Sequence, residues 1–351
     1  MKLRSGFVSI IGRPNAGKST LLNALIGEKV AIVTAKPQTT RTRIHGIVEV
    51  PERKGKHPAA QIVFVDTPGI HRPASQLDRS MLHEIHEALE TRDVVLLLVD
   101  AVRRQPRVKA AGAAGEAGAA NAPETPQLDR TSEEALAFEM VKKLDCPVFL
   151  VITKIDLVPK DRLLPLIEGL SQLHAFDEVI PVSAKKGDGL QLLKHKLAEY
   201  LPEGQRWYPK DQFTDQPERF LVAELIRERI LMETGEEVPY ASAVVVERFE
   251  EPEEPQTRRR PGSKPPVTRI AAAIYCERDG QKAILIGKGG SKLREIGAGA
   301  RKEIEALLGT RVYLELHVLV REHWRDSRVF VESLDWRKQL KEMAAKEESG
   351  E

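Results

Sequence analysis

The chain has 351 residues, more than one typical hydrophobic core organises and enough for two domains. Hydrophobic residues make up 41% and charged residues 30%, a balance typical of globular proteins and unlike that of disordered or membrane-embedded chains. The net charge of +2 means that any contact with nucleic acid must use a local basic patch. Two distant cysteines, Cys146 and Cys276, exclude a disulfide framework and indicate a reducing compartment, so we expect a cytoplasmic protein without a signal peptide.

Short apolar runs alternate with charge-bearing stretches of helical periodicity up to about residue 200. This alternation predicts an α/β domain whose mostly parallel sheet is covered by helices on both faces. Because only a short polar loop follows Ile44–Val50, we predict that this strand forms an antiparallel edge. The predicted buried strands are Phe7–Ile11, Ile62–Asp66, Val94–Asp100, Val148–Thr153 and Val179–Val182.

A glycine-rich loop joins the first predicted strand to a helical stretch at Thr20–Ile26. Its sequence, Gly12-Arg-Pro-Asn-Ala-Gly-Lys-Ser19, matches the phosphate-cradling pattern GxxxxGK[ST], and a chance glycine turn is the alternative. Backbone N–H groups and the positive end of the following helix attract phosphate, Lys18 can bridge the β- and γ-phosphates, and Ser19 can coordinate Mg²⁺. The predicted phosphate-binding residues are Gly12, Asn15, Ala16, Gly17, Lys18, Ser19, Thr20 and, from a later loop, Gly69.

The segment Thr34–Arg43 is polar and lies between the first predicted helix and the edge strand. A threonine hydroxyl here can complete the coordination of Mg²⁺ only when a γ-phosphate is present, which would make the segment a switch. We favour Thr40, and after it Thr39, for this role. A simple solvated loop is the alternative.

A second nucleotide motif, Asp66-Thr67-Pro68-Gly69, ends the third apolar run. Asp66 can hold Mg²⁺ through water and the Gly69 N–H can contact the γ-phosphate. Alone, this tetrapeptide could be an ordinary turn, but the upstream phosphate loop favours the nucleotide interpretation. The predicted switch residues are Thr39, Thr40, Asp66, Thr67, Pro68, Gly69 and Ile70, and the predicted Mg²⁺ ligands are Ser19, Thr40 and Asp66.

Two segments interrupt the regular pattern. The stretch 103–130 is rich in Ala, Gly and Pro and predicts a mobile surface insertion, with a partial helix as the alternative. Glu250–Pro266 carries acidic, basic and proline clusters in turn and predicts a second solvated loop.

The motif Thr153-Lys154-Ile155-Asp156 follows another predicted strand and indicates guanine recognition. A carboxylate at Asp156 can accept hydrogen bonds from the guanine N1–H and 2-amino groups, and adenine lacks this pair of donors. Such a site can discriminate by about 10⁴–10⁵. The stem of Lys154 can lie against the base, and the Ala184 N–H can reach guanine O6. The predicted guanine-binding residues are Thr153, Lys154, Asp156, Ser183, Ala184 and Lys185.

In chain order these elements resemble the TrmE–Era–EngA group of P-loop GTPases over about the first 200 residues. That group has a hydrophobic residue after the DTPG motif, and Ile70 stands there in this chain. The resemblance implies slow unaided hydrolysis that rests on Mg²⁺, Lys18 and backbone groups rather than on a side-chain base. It also implies a potassium ion near Asn15. Thr153 replaces the usual asparagine that ties the base loop to the phosphate loop, a departure that can lower nucleotide affinity.

A domain boundary is predicted where prolines, glycine and polar residues cluster in Leu201–Pro217. The following pattern predicts a small α+β domain in the order helix–strand–strand–helix–helix–strand. Its last helix, Ser291–Leu308, carries Leu293, Ile296, Ile304 and Leu307 on one face, and Val312–Val320 alternates strictly. We therefore predict a GTP-binding domain at 1–203, a linker at 204–216, a second domain at 217–340 and a disordered tail at 341–351.

The sequence Ile286-Gly-Lys-Gly-Gly290 lies between the last two predicted helices and fits GxxG, the loop with which KH domains clamp about four nucleotides of single-stranded nucleic acid. A plain helix–helix turn beside a solvated helical face is the alternative. Between Arg269 and Arg311, nine Lys/Arg and five Asp/Glu give a local excess of +4, which favours RNA, and the element order is that of a type II KH domain. The predicted RNA-binding residues are Ile286, Gly287, Lys288, Gly289, Gly290, Lys292 and Arg294.

A P-loop GTPase joined to this module resembles the Era family across nearly the full length. The segments Lys36–Ile47, Val238–Glu250 and Ile284–Gly297 carry most of the match. The resemblance implies GTP/GDP and Mg²⁺ as ligands, binding near the 3′ end of small-subunit ribosomal RNA, and a role in assembly of the small ribosomal subunit. It further implies peripheral contact with the inner face of the cell membrane, and we expect a monomer.

Two functions remain open at this point. In the first, GTP orders Thr40 and Gly69 and thereby changes RNA affinity, so the GTP and RNA affinities must be coupled reciprocally. In the second, the chain is a GTPase that serves RNA modification or a membrane partner, and its C-terminal domain docks a protein.

Overall fold

The apolar runs of the first 200 residues form one sheet in the computed structural model of the chain. The structure describes residues 2–104, 132–235, 237–251 and 267–340. Nearly all of the predicted insertion at 103–130, most of the predicted loop Glu250–Pro266 and the predicted tail at 341–351 lie outside these ranges.

The chain divides into two compact units, each of which is built from three separate segments of the sequence. The first unit comprises Met1–Val30, Thr40–Arg72 and Leu82–Asp215, and the second comprises Ala31–Thr39, Pro73–Met81 and Gln216–Glu351. Two short segments from the N-terminal half therefore belong to the second unit. The domain boundaries stated above stay predictions.

The sheet of the first unit has six strands in the order β2-β3-β1-β4-β5-β6. They are β1 (Arg4–Ile11), β2 (Ile44–Val50), β3 (Ala60–Asp66), β4 (Val94–Asp100), β5 (Val148–Thr153) and β6 (Glu178–Pro181). Strand β2 runs antiparallel to β3, and the other neighbours are parallel. The predicted parallel sheet with one antiparallel edge strand is confirmed.

In the described part of the chain, five α-helices accompany this sheet: α1 (Lys18–Ile26), α2 (Gln76–Glu90), α3 (Glu133–Val141), α4 (Leu163–Ser171) and α5 (Leu190–Tyr200). Strand β4 is buried along its whole length, as expected for a central parallel strand with both faces covered. Its side chains share a core with Phe138 of α3 and Leu170 of α4. The hydrophobic effect of this burial holds the strand ends that carry the candidate site.

Strand register places several functional positions at one edge of the sheet. Ile10 pairs with Asp66, and Asp100 pairs with Thr153. The carboxyl ends of β1, β3, β4 and β5 therefore lie together, which is where ligands bind in open α/β sheets.

The second unit contains α6 (Glu218–Glu233), β7 (Ala243–Glu250), β8 (Val267–Cys276), α7 (Asp279–Ile286), α8 (Ser291–Leu308), β9 (Arg311–Val320) and α9 (Arg328–Ser333). Strand β8 lies between antiparallel β7 and parallel β9. The predicted order helix–strand–strand–helix–helix–strand is confirmed.

The core of this unit corrects one expectation about α8. Ile296 and Ile304 are fully buried against the sheet, and Leu293 packs beside them. The side chain of Leu307 is 38% exposed, so the face on which it was predicted is not buried along its whole length. Leu308 packs against the core at the end of the helix instead, since only one of two successive helical positions can face the sheet there.

Neither a membrane span nor a disulfide is seen in the described ranges. Within them, no helix combines the length and the apolar character that crossing a bilayer requires. Both cysteines are free thiols, with Cys276 buried and Cys146 half-buried.

Candidate functional site

The loop between β1 and α1 is shaped by residues with unusual backbone angles. Gly17 is the N-cap of α1 with φ of 93°, and Asn15 has φ of 61°. An L side chain with a Cβ is strained in this region, which explains the glycine at position 17. The loop therefore leads directly into the amino end of α1, where backbone N–H groups favour an anion.

Lys18 is buried at the centre of this loop. Its Nζ donates to the carbonyl oxygens of Gly12 and Arg13, each at 3.1 Å. Burial lowers the pKa of Lys18 to about 8, the positive charge of Arg13 adds to this effect, and the negative charge of Asp66 opposes it. A buried ammonium with a lowered pKa is typical of a site that binds an anionic ligand.

Three oxygen-bearing side chains meet beside Lys18. Ser19 Oγ donates to Asp66 Oδ2 at 2.7 Å, Thr40 Oγ1 donates to the same oxygen at 3.1 Å, and the two hydroxyl oxygens lie 2.8 Å apart. They come from the start of α1, the segment before β2 and the end of β3. The cluster thus joins three elements that are far apart in the sequence.

Asp66 is the buried carboxylate of this cluster. It is fully buried, and within the described residues its Oδ1 has no well-formed hydrogen bond. Burial raises the pKa of Asp66, while the charge of Lys18 and hydrogen bonds from Ser19, Thr40 and the Thr67 backbone oppose that rise. A buried carboxylate oxygen without a donor fits a cation as its partner.

The DTPG turn lies close against the phosphate loop. A Cβ at Gly69 would come within 2.8 Å of Pro14 Cα, so only glycine fits there. The Ile70 N–H donates to the Gly12 carbonyl at 3.1 Å, and Thr67 Oγ1 donates to the Ile10 carbonyl at 2.8 Å. Ile70 itself is buried. Pro68 is the remaining predicted residue of this turn.

The end of β5 brings the predicted guanine residues to the same edge. Thr153 Oγ1 donates to the Ala16 carbonyl at 2.8 Å, and Lys154 Nζ donates to the Asn15 carbonyl at 2.9 Å. The threonine that replaces the usual asparagine therefore also bonds to the phosphate loop.

Asp156 lies in a short helical turn after β5, and its Oδ1 accepts a hydrogen bond from Ser183 Oγ at 2.7 Å. Ser183 is fully buried, whereas Ala184 is half-buried and Lys185 is exposed in the same loop. The predicted guanine-binding residues thus come together from two strand ends.

The GxxG sequence lies between α7 and α8 in the second unit. Gly287, Gly289 and Gly290 have φ of 71°, 59° and 77°, a region that favours glycine. Lys288 and Arg294 are exposed, and Arg294 Nη2 donates to the Gly289 carbonyl at 3.4 Å. The loop therefore presents backbone and cationic groups at the amino end of α8.

Lys292 and Ile286, both predicted to bind RNA, also make contacts within the second unit. Lys292 Nζ pairs with Glu295 at 2.7 Å and Glu233 at 3.8 Å, and the hydrogen bond with Glu295 raises the pKa of Lys292. Ile286 packs against the core of the unit. Exposed cationic charge at this loop is therefore provided by Lys288 more than by Lys292.

Comparisons with known proteins match the two parts of the chain to two family models. A model described as "50S ribosome-binding GTPase" matches residues 7–154, and a model described as "KH domain" matches residues 237–325. GTPase Era of Geobacter sp. (strain M21) is 45% identical over 326 residues, which cover 93% of this chain and 95% of that protein. GTPase Era of Syntrophus aciditrophicus (strain SB) is 44% identical, with 94% of each chain covered. The chain belongs to the GTPase Era family.

Two solved Era structures share the fold of this chain. One is Era in complex with MgGDPNP and nucleotides 1506–1542 of 16S ribosomal RNA, with a TM-score of 0.79, 37% identity, and coverage of 95% of this chain and 99% of that one. The other is an Aquifex aeolicus Era variant bound to GDP·AlF₄⁻, also with a TM-score of 0.79 and 37% identity, covering 96% and 99%. The sequence-based family assignment and fold class are confirmed, and this Era-family chain is a GTPase.

Sequence reasoning missed Asp100 in this Era-family site. Asp100 ends β4, is almost completely buried, and accepts hydrogen bonds from Arg13 Nη2 at 3.2 Å and Lys154 Nζ at 2.9 Å. It thus links the phosphate loop to the base loop. The available signal was a lone carboxylate at the end of an apolar parallel strand, at the edge where the other site residues gather.

Proposed function

We propose that this Era-family GTPase is a GTP-controlled switch that binds single-stranded small-subunit ribosomal RNA near its 3′ end and assists assembly of the small ribosomal subunit. The observation that carries the proposal is the Ser19–Thr40–Asp66 cluster, because it ties the predicted switch segment before β2 to the phosphate loop. The Era structure that holds MgGDPNP and a 16S ribosomal RNA fragment supports the RNA part, since the match covers 95% of this chain.

The cluster fits Mg²⁺ in the proposed roles. Ser19 and Thr40 offer hydroxyl oxygens, and Asp66 offers a buried carboxylate whose Oδ1 lacks a good donor within the described residues. Hard oxygen ligands of this kind suit Mg²⁺, which usually keeps several waters. When bound, Mg²⁺ would neutralise charge on the β- and γ-phosphates.

The phosphate loop residues would hold the nucleotide by backbone N–H groups and by one charge. Lys18 Nζ would exchange its bonds to the loop carbonyls for phosphate oxygens, and Gly69 would offer its N–H to the γ-phosphate. Ile70 is buried and has no group that takes a proton. Positioning and charge, rather than a side-chain base, would support hydrolysis, which should be slow unaided.

Guanine would be read by Asp156, with Lys154 and Ala184 beside it. The carboxylate of Asp156 is oriented by Ser183, and Thr153 fixes the base loop to the phosphate loop. Because two hydrogen bonds from guanine would be lost with adenine, the site favours GTP and GDP.

The GxxG loop of the second unit would hold the RNA backbone. Glycines at positive φ allow close approach, Lys288 offers an exposed charge, and the amino end of α8 favours a phosphate group. The proposed contact residues remain those predicted from sequence, Ile286 to Gly290 with Lys292 and Arg294.

The switch is tested by RNA binding in two nucleotide states. The Kd of a 3′-terminal small-subunit RNA fragment is measured with GDP and with a non-hydrolysable GTP analogue over a salt series. We expect tighter RNA binding in the analogue state by about fivefold or more, and the ratio of analogue affinity to GDP affinity should rise by the same factor when RNA is saturating. RNA affinity that does not depend on the nucleotide would contradict the switch.

A potassium ion beside Asn15 is also proposed on the family resemblance, because Asn15 is exposed on the phosphate loop. Equal GTPase rates in sodium and potassium buffers would contradict it. We further propose a monomer in the cytoplasm with peripheral contact to the inner membrane face, for which fractionation of cell extracts and the mass of the purified protein are the tests.

A further inference from the structure

Helix α6 has two buried faces of different character. Val222, Ile226 and Ile230 face the sheet of the second unit. On the opposite face, Arg227 and Glu228 are only 2% and 1% exposed. Charged side chains are rarely buried to this extent unless they are paired or hydrogen-bonded. The segment that covers this polar face of α6 must therefore supply a hydrogen-bonding partner for Arg227 and another for Glu228.

The cover is the segment Ala31–Thr39, which belongs to the same compact unit as α6. Glu228 Oε1 accepts the Val33 N–H at 2.9 Å. Lys36 Nζ donates to the carbonyl oxygens of Leu231 and Thr234 at the C-terminal end of α6, where the helix dipole favours a cation. The segment is thus held at two points by charge-assisted hydrogen bonds.

The third point of attachment is Arg227. Its guanidinium donates from Nη2 to the Thr39 carbonyl and from Nη1 to the Gln38 carbonyl at 3.4 Å. Glu224 accepts from Arg227 Nε at 2.8 Å and from Nη2 at 2.6 Å, which fixes the fork in place. Arg227 therefore binds the backbone of the segment rather than a side chain.

The Thr39 carbonyl is adjacent to the proposed Mg²⁺ ligand in the chain. The carbonyl of Thr39 and the nitrogen of Thr40 share one planar peptide group. A hydrogen bond to that carbonyl restricts the orientation of the group that carries Thr40, whose Oγ1 donates to Asp66 Oδ2 at 3.1 Å.

The start of α2 is linked to the same segment. Gln38 Nε2 donates to Asp78 Oδ1 at 3.1 Å, and Asp78 Oδ2 accepts the backbone N–H groups of Ala74 and Ser75. Leu77 and Met81 pack with Trp324 in a second apolar cluster of the same unit. Segments that follow the phosphate loop and the DTPG motif are therefore anchored on residues of the C-terminal module.

We propose that Arg227 is a positioning residue for Thr40, and that the polar face of α6 is a latch on Ala31–Thr39 through which the RNA-binding module sets the preference for GTP over GDP. The inference rests on the proposed Mg²⁺ role of Thr40. If Thr40 moves when the nucleotide changes, the hydrogen bonds between Ala31–Thr39 and α6 must either be kept or be broken. The latch therefore names the contacts through which the switch would act.

The test compares Arg227→Ala with Arg229→Ala in the full-length protein. Arg229 is on the same helix but pairs with Glu303 of α8, so its loss leaves the latch intact. The Kd values for GDP and for a non-hydrolysable GTP analogue with Mg²⁺ are measured with fluorescent nucleotides. Arg227→Ala should weaken analogue binding about tenfold and leave GDP binding within about twofold, and Arg229→Ala should change neither. Arg227→Lys should recover part of the loss, since it keeps one donor.

Thr40→Ala separates the latch from the underlying role of Thr40. If Thr40→Ala leaves the analogue-to-GDP preference unchanged, the proposed ligand role of Thr40 is wrong. If Thr40→Ala lowers it and Arg227→Ala does not, the latch is wrong. Equal weakening of both nucleotides by Arg227→Ala would also overturn the latch, because it would indicate general structural damage. The double variant should be no worse than Thr40→Ala.

If Arg227→Ala does not fold, a variant in the segment Ala31–Thr39 tests the same contact. Lys36→Met removes the bonds to the end of α6 while leaving the helix unchanged. It should weaken analogue binding in the same direction, with GDP binding retained. An unchanged preference in a folded Lys36→Met protein would count against the latch.

Discussion

Asp156 is oriented by a hydroxyl group from a different loop. Ser183 Oγ donates to Asp156 Oδ1 at 2.7 Å, and the serine is fully buried. A carboxylate held in this way loses less conformational freedom when it accepts the guanine donors. If Asp156 binds guanine as proposed, base recognition depends on Ser183 as a support as well as on Asp156.

Replacing Asp156 with asparagine should move the preference from guanine toward xanthine nucleotides. The amide NH₂ of asparagine donates where guanine also donates, but it pairs with the additional carbonyl of xanthine. We expect the ratio of XTP to GTP affinity to rise at least about 100-fold, since a mismatched buried donor pair is costly. Competition binding measures the ratio, and Asp161→Asn, an exposed position in the same region, is the control. Unchanged GTP selectivity would refute the assignment.

The lowered pKa of Lys18 predicts a pH dependence for nucleotide binding. With a pKa of about 8 in the free protein, Lys18 is charged below that pH and neutral above it. Phosphates stabilise the charged form, so binding above pH 8 must take up a proton. GTP affinity should be flat below about pH 7 and fall by up to about tenfold per pH unit above 8.

Calorimetry in buffers of different ionisation enthalpy measures this uptake directly. Proton uptake should approach one per nucleotide near pH 9 and be near zero at pH 6.5. A lack of uptake at pH 9 would mean that Lys18 stays charged in the free protein.

At the scale of elements, the ends of β4 and β5 act as supports for the phosphate loop. Asp100 at the end of β4 accepts bonds from Arg13 and Lys154, and Thr153 at the end of β5 bonds to the Ala16 carbonyl. The parallel register that pairs Asp100 with Thr153 makes these contacts possible. The ends of β4 and β5 thus hold the phosphate loop through one side chain of the loop, Arg13, and one of its carbonyl groups, that of Ala16.

Thr153→Val tests how much the hydrogen bond from Thr153 to the Ala16 carbonyl contributes. Valine has nearly the same shape but leaves the buried Ala16 carbonyl without the Thr153 donor, a loss of about 1–3 kcal/mol. We expect GTP affinity to fall about tenfold and the free energy of unfolding to decrease. Thr153→Ser keeps the hydroxyl and is the control, and Thr153→Asn should bind GTP at least as well as the natural protein. Equal behaviour of the valine and serine variants would show that the hydrogen bond is unimportant.

At the scale of the whole molecule, each unit has a glycine-rich loop at the amino end of a helix, which we propose as an anion site. The first is the loop before α1, and the second is the loop before α8, where Gly289 has φ of 59°. If the second site binds RNA, the protein links a nucleotide state to an RNA contact. If it docks a protein instead, a charge placed there should leave RNA affinity unchanged.

Gly289→Asp tests this point against a matched control at the other end of α8. Gly309 has φ of 64°, and at both glycines a Cβ would meet no atom within 4 Å, so the two aspartates impose similar strain. Gly289→Asp should reduce RNA affinity at least about 30-fold by repulsion of phosphate, with GTPase activity retained. Gly309→Asp should not, and Gly289→Asn should lose less because it adds no charge. Full RNA binding by Gly289→Asp would favour the protein-docking function.

The sequence by itself determined the kind of nucleotide site, the sheet and the order of elements in both units. These features depend on local spacing: a phosphate loop between strand and helix, apolar runs of strand length, and a glycine loop between helices. The sequence analysis favoured Thr40 ahead of Thr39, and the fold is what brings the Thr40 hydroxyl beside Ser19 and Asp66.

Contacts between distant parts of the chain were decided by the tertiary structure alone. Asp100 was predicted only as the end of a strand, Leu307 was predicted on the same helical face as Ile296 and Ile304, and Arg227 and Glu228 carried no prediction from sequence. Their true surroundings follow from which segments pack together, above all the placement of Ala31–Thr39 with α6 in one unit. Periodicity reports the face of an element on which a residue lies, but what covers that face depends on packing across nearly 200 residues of chain.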